Sequence, residues 1–194
     1  MALTTLDQNT ALVLIDLQRG IVGMPTTPLT SAEVVSNSVK LADAFRAAGA
    51  PVVLVRVSFA PDFSDALPGR TENQGFGGVP PEGWDILVDD VSGHPGDIRV
   101  TKHNWGAFHG TDLDVQLRRR GVTQIVLGGI STSIGVESTA RAAYEHGYHV
   151  AVVTDAVTDS DADAHRNSLE RIFPRLGESG TTEEILEQFA KTRG

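Results

Sequence analysis

The sequence predicts an α/β protein of Rossmann-like, three-layer α/β/α architecture around a six-stranded parallel sheet. Two observations carry that expectation. Short, unbroken apolar runs alternate with amphipathic stretches along the whole 194-residue chain, which is the pattern of strand–helix–strand crossovers. Three of the amphipathic stretches stop at a glycine, Gly49, Gly121 and Gly147, where a left-handed residue closes a helix. With 40% hydrophobic and 21% charged residues, the chain has the composition of a packed core rather than of disorder.

The elements follow in order. Ala11–Ile15 (ALVLI) is a continuous apolar run, as a strand buried on both faces requires. Ser31–Ala48 places Val34, Val35, Val39, Leu41, Ala42 and Phe45 at helical spacing. Pro51–Val57 and Ile98–Thr101 read as the second and third strands, and Asp112–Arg120 as the helix that follows. Gln124–Gly129 is the fourth strand, Gly135–His146 the next helix and His149–Asp155 the fifth strand. Asp161–Phe173 reads as a helix, Arg175–Ser179 as a sixth strand and Thr181–Lys191 as the closing helix. Thr181 with Glu184 three residues on is a capping-box signature. One domain spanning 1–194 is expected, interrupted by an excursion at 58–97. That segment holds Pro61, Pro68, Pro80, Pro81 and Pro95 beside Phe59, Phe63, Phe76 and Trp84. A stretch this long without an element suggests a lid or an interface; the plainer alternative is a surface loop packed on itself around Trp84.

Composition also excludes function classes. A net charge of −9 argues against nucleic acid or an anionic membrane surface as partner. No apolar run approaches the roughly 20 residues that span a bilayer. The start of the chain shows no basic leader, so a cytoplasmic setting is the default expectation. The chain has no cysteine, which removes disulfides, thiolate metal sites and thiol nucleophiles together.

In a doubly wound sheet the ligand lies beyond the carboxyl ends of the strands. Asp16 directly follows the first strand, and burial there would raise its pKa and suit it to proton transfer. Lys102 follows the third strand, where it could pair with a carboxylate or meet an anion. Gly128–Arg141 runs from strand through a glycine- and hydroxyl-rich turn into a helix. Free N–H groups at such a helix start can hold an anion, or Ser131, Thr132 or Ser133 can simply cap the helix; the residues alone leave both open. A dinucleotide fold would need Gly-x-Gly-x-x-Gly after the first strand and a serine hydrolase Gly-x-Ser-x-Gly; neither is present at its place.

Asp16-Leu17-Gln18, then Lys102-His103-Asn104-Trp105-Gly106-Ala107-Phe108, then Gly129-Ile130-Ser131-Thr132-Ser133-Ile134-Gly135-Val136-Glu137-Ser138-Thr139-Ala140-Arg141, resembles the isochorismatase-like hydrolases in order and spacing. The amidases of that family use an Asp, Lys and Cys triad. The resemblance puts the first two roles on Asp16 and Lys102, and the nucleophile's position on Gly135. It further implies a cis Ile130–Ser131 peptide that aims the Ser131 and Gly135 N–H groups at one point, as an oxyanion hole does. Gln18, Ser133, Trp105 and Phe108 are implied at the substrate. No metal is expected, because the histidine-bearing segment of the zinc-dependent members reads Val55–Asp62 here, and His94, His103 and His109 do not restore the spacing. No other cofactor is implied either. True isochorismatases resemble this chain in carrying glycine at the nucleophile's position. Their vinyl-ether hydrolysis needs a protonated acid and a water rather than a thiol, so Gly135 would leave space where the thiol stood. Their nearby histidine is Ser133 here. The expectation is a cofactor-free hydrolase of a small, anionic metabolite, homo-oligomeric like its family; the alternative is a non-catalytic binder of a small molecule.

Overall fold

The structure is a computed structural model that describes residues 3–67, 69–72 and 80–193. Pro68 and Phe76, both counted in the excursion, lie outside the described residues.

Six parallel strands form one sheet: β1 (Thr10–Ile15), β2 (Val52–Val57), β3 (Ile98–Lys102), β4 (Gln124–Ile130), β5 (His149–Thr158) and β6 (Glu178–Gly180), in the order β3-β2-β1-β4-β5-β6. The chain winds outward from the centre in both directions, so the first and fourth strands lie side by side, in parallel register from Thr10 against Gln124 to Ile15 against Gly129. Alternation splits their side chains between two cores. Leu12, Leu14, Leu54, Val126 and Val153 face Val34, Leu41 and Phe45 of α2 (Ser31–Ala47) and Ile185 and Phe189 of the C-terminal helix. Ala11, Val13, Ile15, Val55, Leu127 and Val152 face Leu113 and Leu117 of α3 (Leu113–Arg119) and Ala140 and Ala143 of α4 (Glu137–Glu145). Helices thus cover both faces, which is why these strands read as unbroken apolar runs.

The short helix α1 (Arg19–Val22) has no sequence signal of its own. Helix α2 opens on a full capping box between Thr30 and Glu33. The helices α3 (Leu113–Arg119) and α4 (Glu137–Glu145) lie within their expected ranges, and Gly49, Gly121 and Gly147 take positive φ as expected. The expected Asp161–Phe173 helix is instead α5 (Ala162–Asn167), followed by a π-helical turn Ser168–Ile172 and a 3-10 turn Phe173–Arg175. Pro174, in that last turn, has no N–H for an α-helical bond. The sixth strand accordingly begins at Glu178 rather than Arg175. The closing helix α6 (Thr182–Arg193) carries the expected Thr181–Glu184 box, with N–H to Glu184 Oε2 at 2.7 Å and the return bond at 3.3 Å. Rings of Phe45 and Phe189 stack at 3.9 Å and join α6 to α2.

The fifth strand runs three residues beyond its expected end at Asp155. A register break between Leu127 and Gly129 sets residues 153–156 against Gly128 alone, after which Val157 and Thr158 pair with Gly129 and Ile130. This carries Asp159 to the carboxyl end of the fourth strand. The described part of the excursion contains no helix or named strand. Leu87 and Val91 nonetheless pack into the core, and Leu87 bridges to Gln18. Among the described residues no helix is long and apolar enough to cross a membrane.

Candidate active site

Connections leave β1 and β4 in opposite directions, which opens a crevice at their carboxyl ends. Asp16 is the residue after β1, and Ser131 the residue after β4. Asp16 has a φ of 54°, a left-handed conformation uncommon outside glycine, though aspartate accepts it more readily than most side chains. Its N–H is held by Val55 O at 2.9 Å, and its own carbonyl accepts from Gln18 N–H at 2.8 Å. The neighbouring backbone therefore fixes the strained residue and turns its carboxylate into the crevice.

Lys102, the last residue of β3, reaches Asp16 from two strands away. Its ammonium lies 2.8 Å from Asp16 Oδ2 and donates to Asn104 O at 3.1 Å. Both residues are almost sealed from solvent, at 4% exposure for Asp16 and 2% for Lys102. Burial pushes the Asp16 carboxyl up from 3.8 to about 6, although the Lys102 charge and hydrogen bond pull it down. The Val57 amide adds only a weak lowering pull, because its hydrogen bond goes to Gln18 Oε1 at 2.9 Å. Asp16 Oδ1 is left buried with no hydrogen-bond partner among the described residues. A buried carboxylate oxygen of this kind is costly unless something else comes to meet it.

The Ile130–Ser131 peptide is cis, as the resemblance implies. Gly129, just before it, has a φ of 123°, and a Cβ there would lie 2.1 Å from Ile15 O, so only glycine lets β4 approach β1 this closely. A π-helical turn, Thr132–Val136, then leads into α4. The hydroxyls do not cap it. Ser131 occupies the cap position without a side-chain cap bond, and the Thr132 hydroxyl meets His165 Nδ1 at 2.8 Å. The turn is instead capped from β5: Ser133 N–H donates to Asp159 Oδ2 at 2.7 Å. The other Asp159 oxygen takes the Ser160 N–H at 2.8 Å, and its backbone pairs with Thr27. Burial holds His165 below its usual pKa, partly countered by the Asp159 charge, so the ring beside Thr132 is kept neutral.

Gly135 comes within reach of the buried pair. A Cβ built on it would stand 3.2 Å from Asp16 Oδ2, 3.5 Å from Trp105 O and 2.9 Å from Ile15 Cγ2. Position 135 is thus at the carboxylate, where the sequence reading puts it. A Cβ at this position would be tight against the Ile15 methyl, so that side chain would have to shift to admit one.

The remaining expected residues divide. Gln18 is fully buried, and its amide is spent on backbone: Nε2 donates to Val57 O at 3.0 Å and Trp84 O at 3.4 Å while Oε1 accepts from Val57. It braces β1 to β2 and to the excursion. Ser133 offers its N–H to Asp159, as described. Trp105 brings its carbonyl to Gly135 while its ring is 61% exposed. Phe108 turns the other way, into the core, with ring centroids 5.1 Å from His146 and 5.8 Å from Tyr148. Asp159, His165 and Ile15 were not singled out from the sequence, and Thr139 stood in the quoted motif without a role at the site. Asp159 had a signal in its place at the end of the sheet's fifth strand, hidden by the register break. Among the described residues no three His, Asp or Glu side chains gather in a group that could hold a metal ion.

Residues 10–184 match the isochorismatase domain. The chain is 46% identical over 179 residues to YecD of Escherichia coli O157:H7, an isochorismatase family protein, covering 92% of this chain and 95% of that one. It is 32% identical over 171 residues to the ureidoacrylate amidohydrolase RutB of Pseudomonas syringae pv. syringae (strain B728a), covering 76% and 70%. A solved isochorismatase family protein from Burkholderia thailandensis superposes with a TM-score of 0.93 at 46% identity, covering 97% of this chain and all (100%) of that one.

Proposed function

The chain belongs to the isochorismatase family, and from that premise we propose that it hydrolyses a small, anionic metabolite without a thiol nucleophile, using Asp16 to move the proton and Lys102 to balance charge. One observation carries this reading: Asp16 Oδ1 is a buried oxygen with no partner, on a carboxyl whose other oxygen is occupied by Lys102. Burial raises this carboxyl to about 6, so it can hold a proton under mild conditions, and Oδ1 is the oxygen that no other group engages. Protonation of Asp16 also strips Lys102 of its counter-charge. A substrate carboxylate would restore the balance, which couples binding of an anion to the acid form of Asp16. The relative named for ureidoacrylate, an unsaturated carboxylate, supports that class of substrate.

For a vinyl ether the step balances as follows. Asp16 transfers its proton to the enol carbon, leaving an oxocarbenium ion. Water adds to the cationic carbon, and its surplus proton returns to Asp16. The hemiketal then expels an alcohol and leaves a ketone. The test is a panel of carboxylate-bearing vinyl ethers and ureido acids, wild type against Asp16→Asn. Turnover is expected to fall about 10²–10⁴-fold in the variant; equal rates would overturn the role of Asp16. Because the acid form is the working form, the rate should fall as pH rises through about 6. A rate that instead falls below that pH would make Asp16 the base that activates water.

A second reading, binding without turnover, is favoured by the near-complete burial of Asp16 and Lys102 and by the Ile15 methyl, which lies 2.9 Å from where a Cβ at position 135 would stand. Saturable binding of a panel member with no product would establish it.

A further inference from the structure

The Lys102 ammonium is shared between Asp16 Oδ2 and Asn104 O, which ties the segment after β3 to the buried pair. The segment lies against the other half of the site. The Trp105 carbonyl stands 3.5 Å from the Cβ position of Gly135, and a Cβ on Gly106 would be 3.3 Å from the Ser138 backbone and Cβ. One side chain joins the two halves. The Ala107 N–H donates to Thr139 Oγ1 at 3.1 Å, and the Thr139 hydroxyl donates to Gly135 O at 2.7 Å. Thr139 and Ala107 have no exposure to solvent (0%).

We propose that Thr139 is a positioning residue for this site: its hydroxyl sets the gap between the Lys102 segment and the Ser131–Gly135 turn, and so holds Lys102 against Asp16. The proposal rests on the reading of Asp16 and Lys102 as the working pair. A threonine bonded to the carbonyl four residues back is ordinary in helices, and that alone would explain the bond to Gly135. It does not explain the Ala107 N–H, a buried donor from another segment with no other acceptor among the described residues. Leaving such a donor unmet is costly, so the loop is drawn to the hydroxyl. Both functions of that hydroxyl, its proton and an acceptor site, are engaged within the protein. Thr139 therefore acts through Lys102 and Gly135 rather than on a substrate.

The test reads the geometry through the Asp16 carboxyl, followed by carbon-detected NMR against pH and assigned with Asp16→Asn. Lys102 is the charged side chain in contact with Asp16 among the described residues, and it pulls the carboxyl down. Thr139→Val keeps the shape and removes the hydroxyl. It should let Lys102 draw back and raise the Asp16 midpoint by about one pH unit or more. Thr139→Ser keeps the hydroxyl and should titrate like wild type. Thr139→Ala carries the same expectation as valine where the valine protein does not fold. An unshifted Asp16 midpoint in a folded valine or alanine variant overturns the proposal. So does a serine variant that shifts as far as valine, since the methyl packing would then be responsible. Retained turnover in Asp16→Asn would overturn the catalytic reading instead, and leaves this titration comparison standing as a measurement of geometry.

Discussion

Two ion pairs sit at opposite ends of the sheet, one half-buried and one buried, and they are built differently. At the amino ends of the strands, Arg46 meets Asp97 along one guanidinium edge with two bonds, Nε to Oδ1 at 3.2 Å and Nη2 to Oδ2 at 2.6 Å. Nη2 also donates to Val91 O at 2.7 Å, and Nη1 to Asp43 Oδ1 at 3.2 Å. Every oxygen of Asp97 is met, and the carboxylates hold Arg46 above its usual pKa. At the carboxyl ends, Lys102 meets one oxygen of Asp16 and leaves the other bare, with the carboxyl raised to about 6. A saturated pair stabilises the fold and is chemically inert. An under-satisfied one costs stability and keeps a proton available. The amino end also has a cavity of about 560 Å³ lined by Arg46, His94, Asp97, Arg120 and Arg193. Those arginines lie in or next to the last turns of helices α2, α3 and α6, where the helix dipole favours a cation and disfavours an added anion. Volume thus points to one end of the sheet and chemistry to the other, and the chemistry decides.

The sharpest way to break this comparison is to remove one member of the saturated pair. Asp97→Ala removes the two-pronged partner of a half-buried guanidinium that keeps its bonds to Val91 O and Asp43, and should cost about 1.5–3 kcal/mol of stability, read as a lower midpoint in urea. Turnover per folded molecule should be unchanged. A parallel fall in turnover would show that the amino-end pair feeds the site and would end the division of labour.

A smaller effect sharpens the other side. Gly135→Ala places a Cβ 2.9 Å from Ile15 Cγ2 and 3.2 Å from Asp16 Oδ2. Ile15 is fully buried in the core and has little room to yield, so the expected cost is about 1–3 kcal/mol. The double variant with Ile15→Ala should recover part of that cost, a coupling above roughly 0.5 kcal/mol in a double-mutant cycle. Strict additivity would mean that Ile15 does not crowd the position. The same contact predicts that Gly135→Cys does not restore a thiol enzyme by itself.

What the sequence made legible follows periodicity and strand ends. Apolar runs located the central strands, the short sixth strand was met only in part, and the rule that ligands lie past carboxyl ends picked out Asp16, Lys102 and the Ser131–Gly135 turn. What stayed hidden depends on contacts between distant segments. The cap of the turn is Asp159, 26 residues after Ser133, brought there by a register break that polar Thr154 and Asp155 disguise as a strand end. Thr139 reads as one more threonine on a helix until the Ala107 N–H arrives at it. Ile15 reads as core, which it is, and nothing local says that its methyl also occupies the place beside Gly135.

Trp105 and Phe108 show that limit in one motif, three residues apart, and yield the smallest predicted effect. Both are aromatic and both follow Lys102, so spacing treats them alike. The structure buries Phe108 to 6% exposure against His146 and Tyr148 and leaves the Trp105 ring 61% exposed. Phe108→Ala should therefore behave as a core truncation, costing about 3–5 kcal/mol. Trp105→Ala should change stability by no more than about 0.5 kcal/mol, since an exposed ring surrenders little packing. Its carbonyl, which faces Gly135, survives the substitution. If the Trp105 ring flanks the substrate, KM should rise with kcat unchanged, the signature of lost uniform binding. An unchanged KM would confine the contribution of Trp105 to its backbone and place the site's aromatic specificity elsewhere.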